Sequence, residues 1–214
     1  MKRSYFLVAI TITVATVLGT LMIYSDLPDR IPTHWNLRGE VNAYGGKATT
    51  FVLPGVMAGI VLLFSALPWL SPRKYEVDTF SPTYLYLMLV IVTFMGYLHV
   101  LTLWAALSKP LNMNRSLLGA AFLMLILFGN VLGRVQRNFY IGIRTPWTLA
   151  NEKVWQATHR FAAKVFVVAG GLGLLCVVLF PRVSIEAGIF IAAALASVLY
   201  SLVYYKHLER RNEL

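Results

Sequence analysis

Six stretches of this 214-residue chain contain no Asp, Glu, Lys or Arg: residues 4–25, 48–72, 79–108, 116–133, 165–181 and 187–205. A helix needs roughly 20 apolar residues to cross a hydrocarbon core, and about 17 at the least, so each stretch is a candidate span. Inside lipid no water pairs with the backbone, and a spanning segment must satisfy its own N–H and C=O groups, as a helix does. A soluble core does not account for the excess of apolar residues, because 58% of the chain is hydrophobic, only 13% is charged and the mean hydropathy is +0.67. The expected fold is therefore all-α, a polytopic membrane protein with six transmembrane helices. Lys2 and Arg3 ahead of the first stretch resemble the start of a signal peptide, but that stretch is as long as a full span. The sequence after it, SDLPDRIPTHW, offers no small-x-small cleavage site, so a retained first helix is expected.

Lys and Arg in short connections resist translocation and set orientation. With the N-terminus inside, the inner segments hold Lys2, Arg3, Arg73, Lys74, Arg134, Arg137, Arg144, Lys153, Arg160, Lys206, Arg210 and Arg211. The outer segments then hold Arg30, Arg38, Lys47, Lys109, Arg115 and Arg182, with Lys164 left uncounted at a helix end. Twelve against six predicts both termini in the cytoplasm. The net charge of +10 is split among loops, where it favours anionic inner-leaflet lipid by about 1 kcal/mol per well-placed cation rather than direct nucleic-acid binding. Cys176, the only cysteine, lies inside an apolar stretch, so neither an intrachain disulfide nor a thiolate metal cluster is available.

Between the first two spans, Ser25–Lys47 carries Pro28, Pro32, Gly39, Gly45 and Gly46, which predict an ordered, turn-rich outer loop. In the second span Pro54 predicts a kink, and Gly55 and Gly59 a face that another backbone can approach. The third span is the longest by sequence and brings His99 toward its outer end, where a packed donor is expected in preference to a proton relay. The inner connection SPRKYEVDTFSP reads as solvated. Asn130, Arg134 and Asn138 recur at i, i+4 and are expected to align on one face of the fourth helix. Thr145-Pro146 is a favourable helix start, and Asn151 a cap for a helix with Glu152 in its first turn that continues into the membrane. Trp155 and His159 share a face of that helix, and Gly170, Gly171 and Gly173 permit close packing further along it.

The segment Gly129–Arg160 concentrates the polar chemistry. One reading makes it a cytoplasmic-side pocket in which Asn130, Arg134, Asn138, Arg144 and His159 converge. The other assigns the arginines to the positive-inside rule, the tryptophans to the interfacial belt and the asparagines to helix caps. Asp26, Asp29, His34 and Glu40 in the outer loop match no ligand spacing, so neither a metal nor a cofactor is expected. Catalytic signatures such as H-E-x-x-H, G-x-S-x-G and the P-loop are absent, and enzyme activity is not expected. Glu186 sits where a helix dipole favours a carboxylate, and the spans hold no midplane acid for a proton-driven transporter.

The run GNVLGRVQRNFYIGIRTPWTL, followed by VWQATHR, resembles the signature of the SdpI family of bacterial membrane proteins. The outer-loop sequence LPDRIPTHWNLRGEVNAYGGK resembles a short domain of unknown function that often precedes an SdpI domain. Together the resemblances cover essentially the whole chain. They imply an N-terminal domain over 1–70, with the first two helices and outer loop 25–47, and an SdpI-like domain over 71–214, with four helices and signature loop 129–160. Positions matching the signature are Asn130, Asn138, Gly142, Arg144, Thr145, Pro146, Trp147, Trp155, His159 and Arg160 on the inner side, and Pro32, His34, Trp35 and Gly39 on the outer. The implied function is immunity, in the bacterial inner membrane, against a membrane-active peptide toxin. The implied partners are membrane lipid, a secreted hydrophobic peptide outside and, as in the family's namesake system, a soluble transcriptional repressor inside. The competing readings are a small-molecule transporter or membrane enzyme using the basic inner pocket, and a scaffold that docks a soluble regulator.

Overall fold

The structure, a computed structural model, describes residues 2–70 and 81–214. The solvated connection expected to carry Arg73 and Lys74 falls on 71–80, outside the described residues. Seven α-helices are present among the described residues: α1 (Lys2–Ile23), α2 (Val52–Leu70), α3 (Ser81–Ala106), α4 (Met113–Leu132), the short α5 (Pro146–Ala150), α6 (Glu152–Leu179) and α7 (Val183–Arg210). All but α5 are long and apolar enough to cross a membrane, and the chain is a multi-pass membrane protein. Even the 20 residues of α4 reach about 30 Å at 1.5 Å per residue. The longest helices are α6 and α7, at 28 residues each, rather than the 26-residue α3. The extra length comes from polar ends that the apolar runs do not include, capped by Asn151 at the start of α6.

The chain divides into two compact units, Met1–Ser65 with Leu85–Ala121 and Ala66–Tyr84 with Phe122–Leu214. In the first, α1, α2 and α3 meet at Gly96, where an added Cβ would lie 3.4 Å from both Ile12 and Met57. Four threonines of α1 turn their hydroxyls back to the carbonyl four residues earlier, which satisfies them inside an apolar helix. Thr20 also meets the buried His99 of α3 at 2.7 Å, the packed role expected of that histidine.

The loop after α1 departs from the all-helical expectation. Strands β1 (Arg30–Trp35) and β2 (Val41–Gly46) form an antiparallel hairpin, with register irregularities around His34. Pro32 is tolerated because a two-stranded sheet has only edge strands. At the tip, Asn36 Oδ1 accepts the backbone N–H groups of Arg38 and Glu40, and Gly39 adopts φ +80°, a left-handed conformation suited to glycine. Asn114 at the start of α4 donates to the Leu37 carbonyl at 2.7 Å and ties the tip down. At the other end Leu27, Ile31 and Ala106 form a small apolar cluster with Ile23, Tyr24 and Leu103.

Pro54 falls in the first turn of α2, preceded by a 3-10 turn over Lys47–Phe51, rather than at a mid-helix kink. There its missing N–H removes no intrahelical bond. The expected approach of a backbone at Gly55 and Gly59 is also not seen, since no described atom lies within 4 Å of a Cβ added at either.

In the second unit α6 packs on α7 and approaches the end of α4 closely. A Cβ added at Gly129 would lie 2.8 Å from the Ala163 carbonyl oxygen, and one at Gly170 2.8 Å from that of Phe122. Gly173 leaves room for the Phe122 ring, which stacks on Phe190 of α7 at 4.3 Å. Close packing of small residues is how membrane helices gain dispersion contacts where lipid supplies no hydrophobic drive. Gly171, grouped with them by sequence, faces open space.

Candidate functional site

The signature segment is organised by backbone groups that lack helical partners. Helix α4 ends at Leu132, and Arg134 and Val135 donate to the carbonyls three residues back, closing a turn. Asn130, Arg134 and Asn138 therefore do not share a helical face. Asn130 and Arg134 are exposed, whereas Asn138 is fully buried in the loop that follows. The Asn138 side chain replaces the missing helix bonds. Its Oδ1 accepts from Tyr140 N and Ile141 N at 2.7 Å each, and its Nδ2 donates to Gln136 O at 2.8 Å and Ile141 O at 3.1 Å.

Two buried rings hold this loop against α6. Trp155 Nε1 donates to the Val135 carbonyl at 2.7 Å, and the indole stacks on His159 with centroids 4.0 Å apart. His159 donates from Nδ1 to the Trp155 carbonyl at 2.8 Å and accepts the Ile143 N–H at Nε2, 3.0 Å. That bonding assigns a neutral imidazole with the proton on Nδ1. Gly142, at φ +116°, brings the loop backbone directly over this imidazole, and a Cβ there would collide with Nε2.

Thr145 and Pro146 start α5 as expected. Thr145 Oγ1 accepts from Thr148 N, and Thr148 Oγ1 accepts from Thr145 N, a reciprocal capping box with proline in the first turn. Asn151 then caps α6 through Lys153 N and Val154 N. Trp147 donates to Ser201 Oγ of α7 at 2.6 Å. It thus docks α5 on α7, a contact that a position in the interfacial belt does not require. Trp147→Phe and Ser201→Ala should each cost about 1 kcal/mol of stability, and their double mutant less than the sum by about 0.5–1.5 kcal/mol. Additivity in thermal denaturation of the purified protein would mean the bond is not formed.

Of the residues of the expected basic pocket, Asn138 and His159 are buried and Asn130 is exposed. Arg134, Arg144 and Arg160 are exposed, and Arg144 Nη1 donates to the Phe139 carbonyl at the loop surface. Arg137 forms an ion pair with Glu152 at 3.1 Å and donates to the Leu149 carbonyl, joining the loop to the α5–α6 junction. Sequence reasoning missed Thr148, Ser201 and the Val135 carbonyl as partners in this cluster. Only the box spacing Thr145–Thr148 carried a signal. The other two depend on tertiary contact.

The hairpin places its four predicted residues differently. His34 bonds Asn42 at 2.5 Å across the strands, Gly39 makes the tip, and Pro32 and Trp35 line a crevice of about 390 Å3 beneath the hairpin. Leu53 of α2, Leu101 of α3 and Met113 of α4 complete much of that lining. Among the described residues no three His, Cys, Asp or Glu side chains gather as a metal site.

Residues 134–205, from Arg134 through the docking serine of α7, match the SdpI/YfhL protein family. The chain carries an SdpI-family domain. Residues 11–58 match a domain of unknown function, DUF1648. Over 212 residues, 99% of this chain and 99% of the relative, the sequence is 29% identical to Immunity protein SdpI of Bacillus subtilis (strain 168). No solved structure matches the chain. Each match falls within one compact unit, and the SdpI-family domain includes the whole Asn138, Trp155 and His159 cluster but begins after Asn130.

Proposed function

We propose that this chain is an immunity protein of the bacterial cytoplasmic membrane that shields the cell making it from a membrane-active peptide. The 29% identity that runs over 99% of both this chain and Immunity protein SdpI carries the reading, because it includes the hairpin as well as the signature. Both termini lie inside, as the twelve-to-six distribution of Lys and Arg favours. The hairpin and the apolar crevice under it then face outward and meet the peptide. The signature loop lies on the inner side, where exposed Arg134, Arg144 and Arg160 offer a soluble repressor a basic face. Peptide binding shifts that face only to the extent that the peptide prefers one of two states. A transporter or enzyme centred on His159 has less support, since both of its ring nitrogens already serve backbone groups.

Deleting the gene should sensitise the native host to medium conditioned by its own parent strain, and expressing the chain in Bacillus subtilis lacking Immunity protein SdpI should restore survival. A deletion strain no more sensitive than its parent, together with failed complementation, would overturn the proposal. Arg144→Ala and Asn130→Ala, both at exposed side chains, are expected to abolish protection while membrane abundance stays unchanged. Protection intact in both variants would remove these residues from the site.

A further inference from the structure

A second cavity, of about 500 Å3, lies along the first unit between α1 and α3, away from the hairpin crevice. Its walls come from Ile12, Ala15 and Gly19 of α1 and Gly96, His99 and Leu103 of α3, with Thr16, Thr20 and Thr93 adding hydroxyls. No Asp, Glu, Lys or Arg lines it. His99 is 2% exposed and uses one ring nitrogen. Thr20 Oγ1 donates its single proton to the Thr16 carbonyl at 2.7 Å and so accepts from His99 Nε2 at 2.7 Å. Nε2 then carries the proton, which in the neutral ring leaves Nδ1 as an acceptor, and among the described residues no hydrogen bond reaches Nδ1. An acceptor at the wall of an apolar groove marks a place where a donor is favoured.

The groove also has a direction relative to the membrane. Thr20 lies three residues before the end of α1, so the His99 end is near the membrane boundary on the hairpin side. From Thr20 to Ile12 is eight residues, a run of about 12 Å toward the membrane interior, walled mostly by small and aliphatic side chains with the hydroxyls of Thr16 and Thr93 among them. We propose that this groove binds a neutral, single-chain membrane amphiphile, whose hydroxyl donates to His99 Nδ1 and whose hydrocarbon chain lies along Ala15, Gly19 and Gly96. The absence of lining charge disfavours an ionised headgroup, which would be desolvated without a counter-ion. A transmembrane helix is a poorer occupant, because its backbone donors are already bonded internally and only a polar side chain could reach Nδ1. The site is independent of the immunity reading and uses none of its residues.

The full chain in phosphatidylcholine vesicles is to be photolabelled with a diazirine-bearing hexadecanol and with the matching hydrocarbon lacking the hydroxyl, adducts being mapped by mass spectrometry. The alcohol should label residues 12–20 and 93–103 at least tenfold more than the hydrocarbon does. Gly19→Leu should remove that excess without lowering the melting temperature, since no described atom lies within 4 Å of a Cβ added there. His99→Leu should remove the alcohol's advantage and leave hydrocarbon labelling as it was. Equal labelling by both probes, or an excess that survives Gly19→Leu, would overturn the proposal. So would efficient interchain disulfide formation by Gly19→Cys that blocks the alcohol, which would put a second copy's helix in the groove.

Discussion

Replacing Gly142 with alanine is expected to cost on the order of 3 kcal/mol or more and to lower the melting temperature by about 10 °C. Two effects add. At φ +116° the backbone is in a region that residues with a Cβ rarely adopt. The new methyl would also be driven into His159 Nε2 and within 3.2 Å of Trp155 Cη2. The imidazole cannot yield without losing the Ile143 N–H and its stack on Trp155, and the indole in turn holds the Val135 carbonyl. One methyl thus loosens three attachments between loop and α6. Gly188→Ala is the control, an exposed helical glycine with no described atom within 4 Å of the added Cβ. There alanine should be neutral or stabilising by about 0.5–1 kcal/mol. Fluorescence-detected melting of both variants in one detergent decides the matter, and equal melting temperatures would mean Gly142 does not pack on the imidazole.

The legible parts of this chain are those whose cause is local. Six spans could be read because a charge-free run of sufficient length has few alternatives in lipid. Thr145-Pro146 and Asn151 could be read as helix starts because a cap bonds within three residues of itself. The end of α4 could not. From Asn130 to Asn138 the sequence has no proline, and its spacing fits a continuing helix as well as a loop. The helix stops where Trp155, distant in sequence, takes over the Val135 carbonyl and where Glu152 pairs with the Arg137 side chain. The hairpin was hidden for a related reason. Its strands are short, β1 contains Pro32, and the pairing is irregular, so no alternation marks it. What makes it ordered is docking at both ends, Ile31 on Ala106 and Leu37 on Asn114.

The inward bonding of the signature also changes what its residues can do. Asn138, Trp147, Trp155 and His159 are all engaged with backbone or α7, so their chemistry goes into holding one loop shape. The polar groups left at the surface of that shape are those of Asn130, Arg134, Arg144 and Arg160. A substitution in the first set should reduce folded protein and function together, and one in the second should reduce function alone.

Asn138 offers the sharpest form of that distinction. Asn138→Ala removes four hydrogen bonds and leaves two backbone donors and two carbonyls without their partner in a site that is fully buried. At about 1 kcal/mol or more for each group, and with water recovering some of them, the loss should be on the order of 3–5 kcal/mol. Asn138→Asp separates the two halves of the amide. One carboxylate oxygen still accepts from Tyr140 N and Ile141 N, but the other faces the Gln136 and Ile141 carbonyls where an NH2 group had donated. Protonation restores one donor and removes the repulsion, so folding raises the pKa of the new carboxyl. The folded state then binds the proton more tightly than the unfolded state, and stability relative to the parent falls as pH rises through that raised value. Asn138→Asp should therefore melt closer to the parent at low pH than at neutral pH, whereas the Asn138→Ala deficit stays flat. Parallel pH profiles for the two variants, or a cost below about 1 kcal/mol for Asn138→Ala, would mean that the loop keeps its shape without the buried amide, and that the signature's polar residues are available for a partner after all.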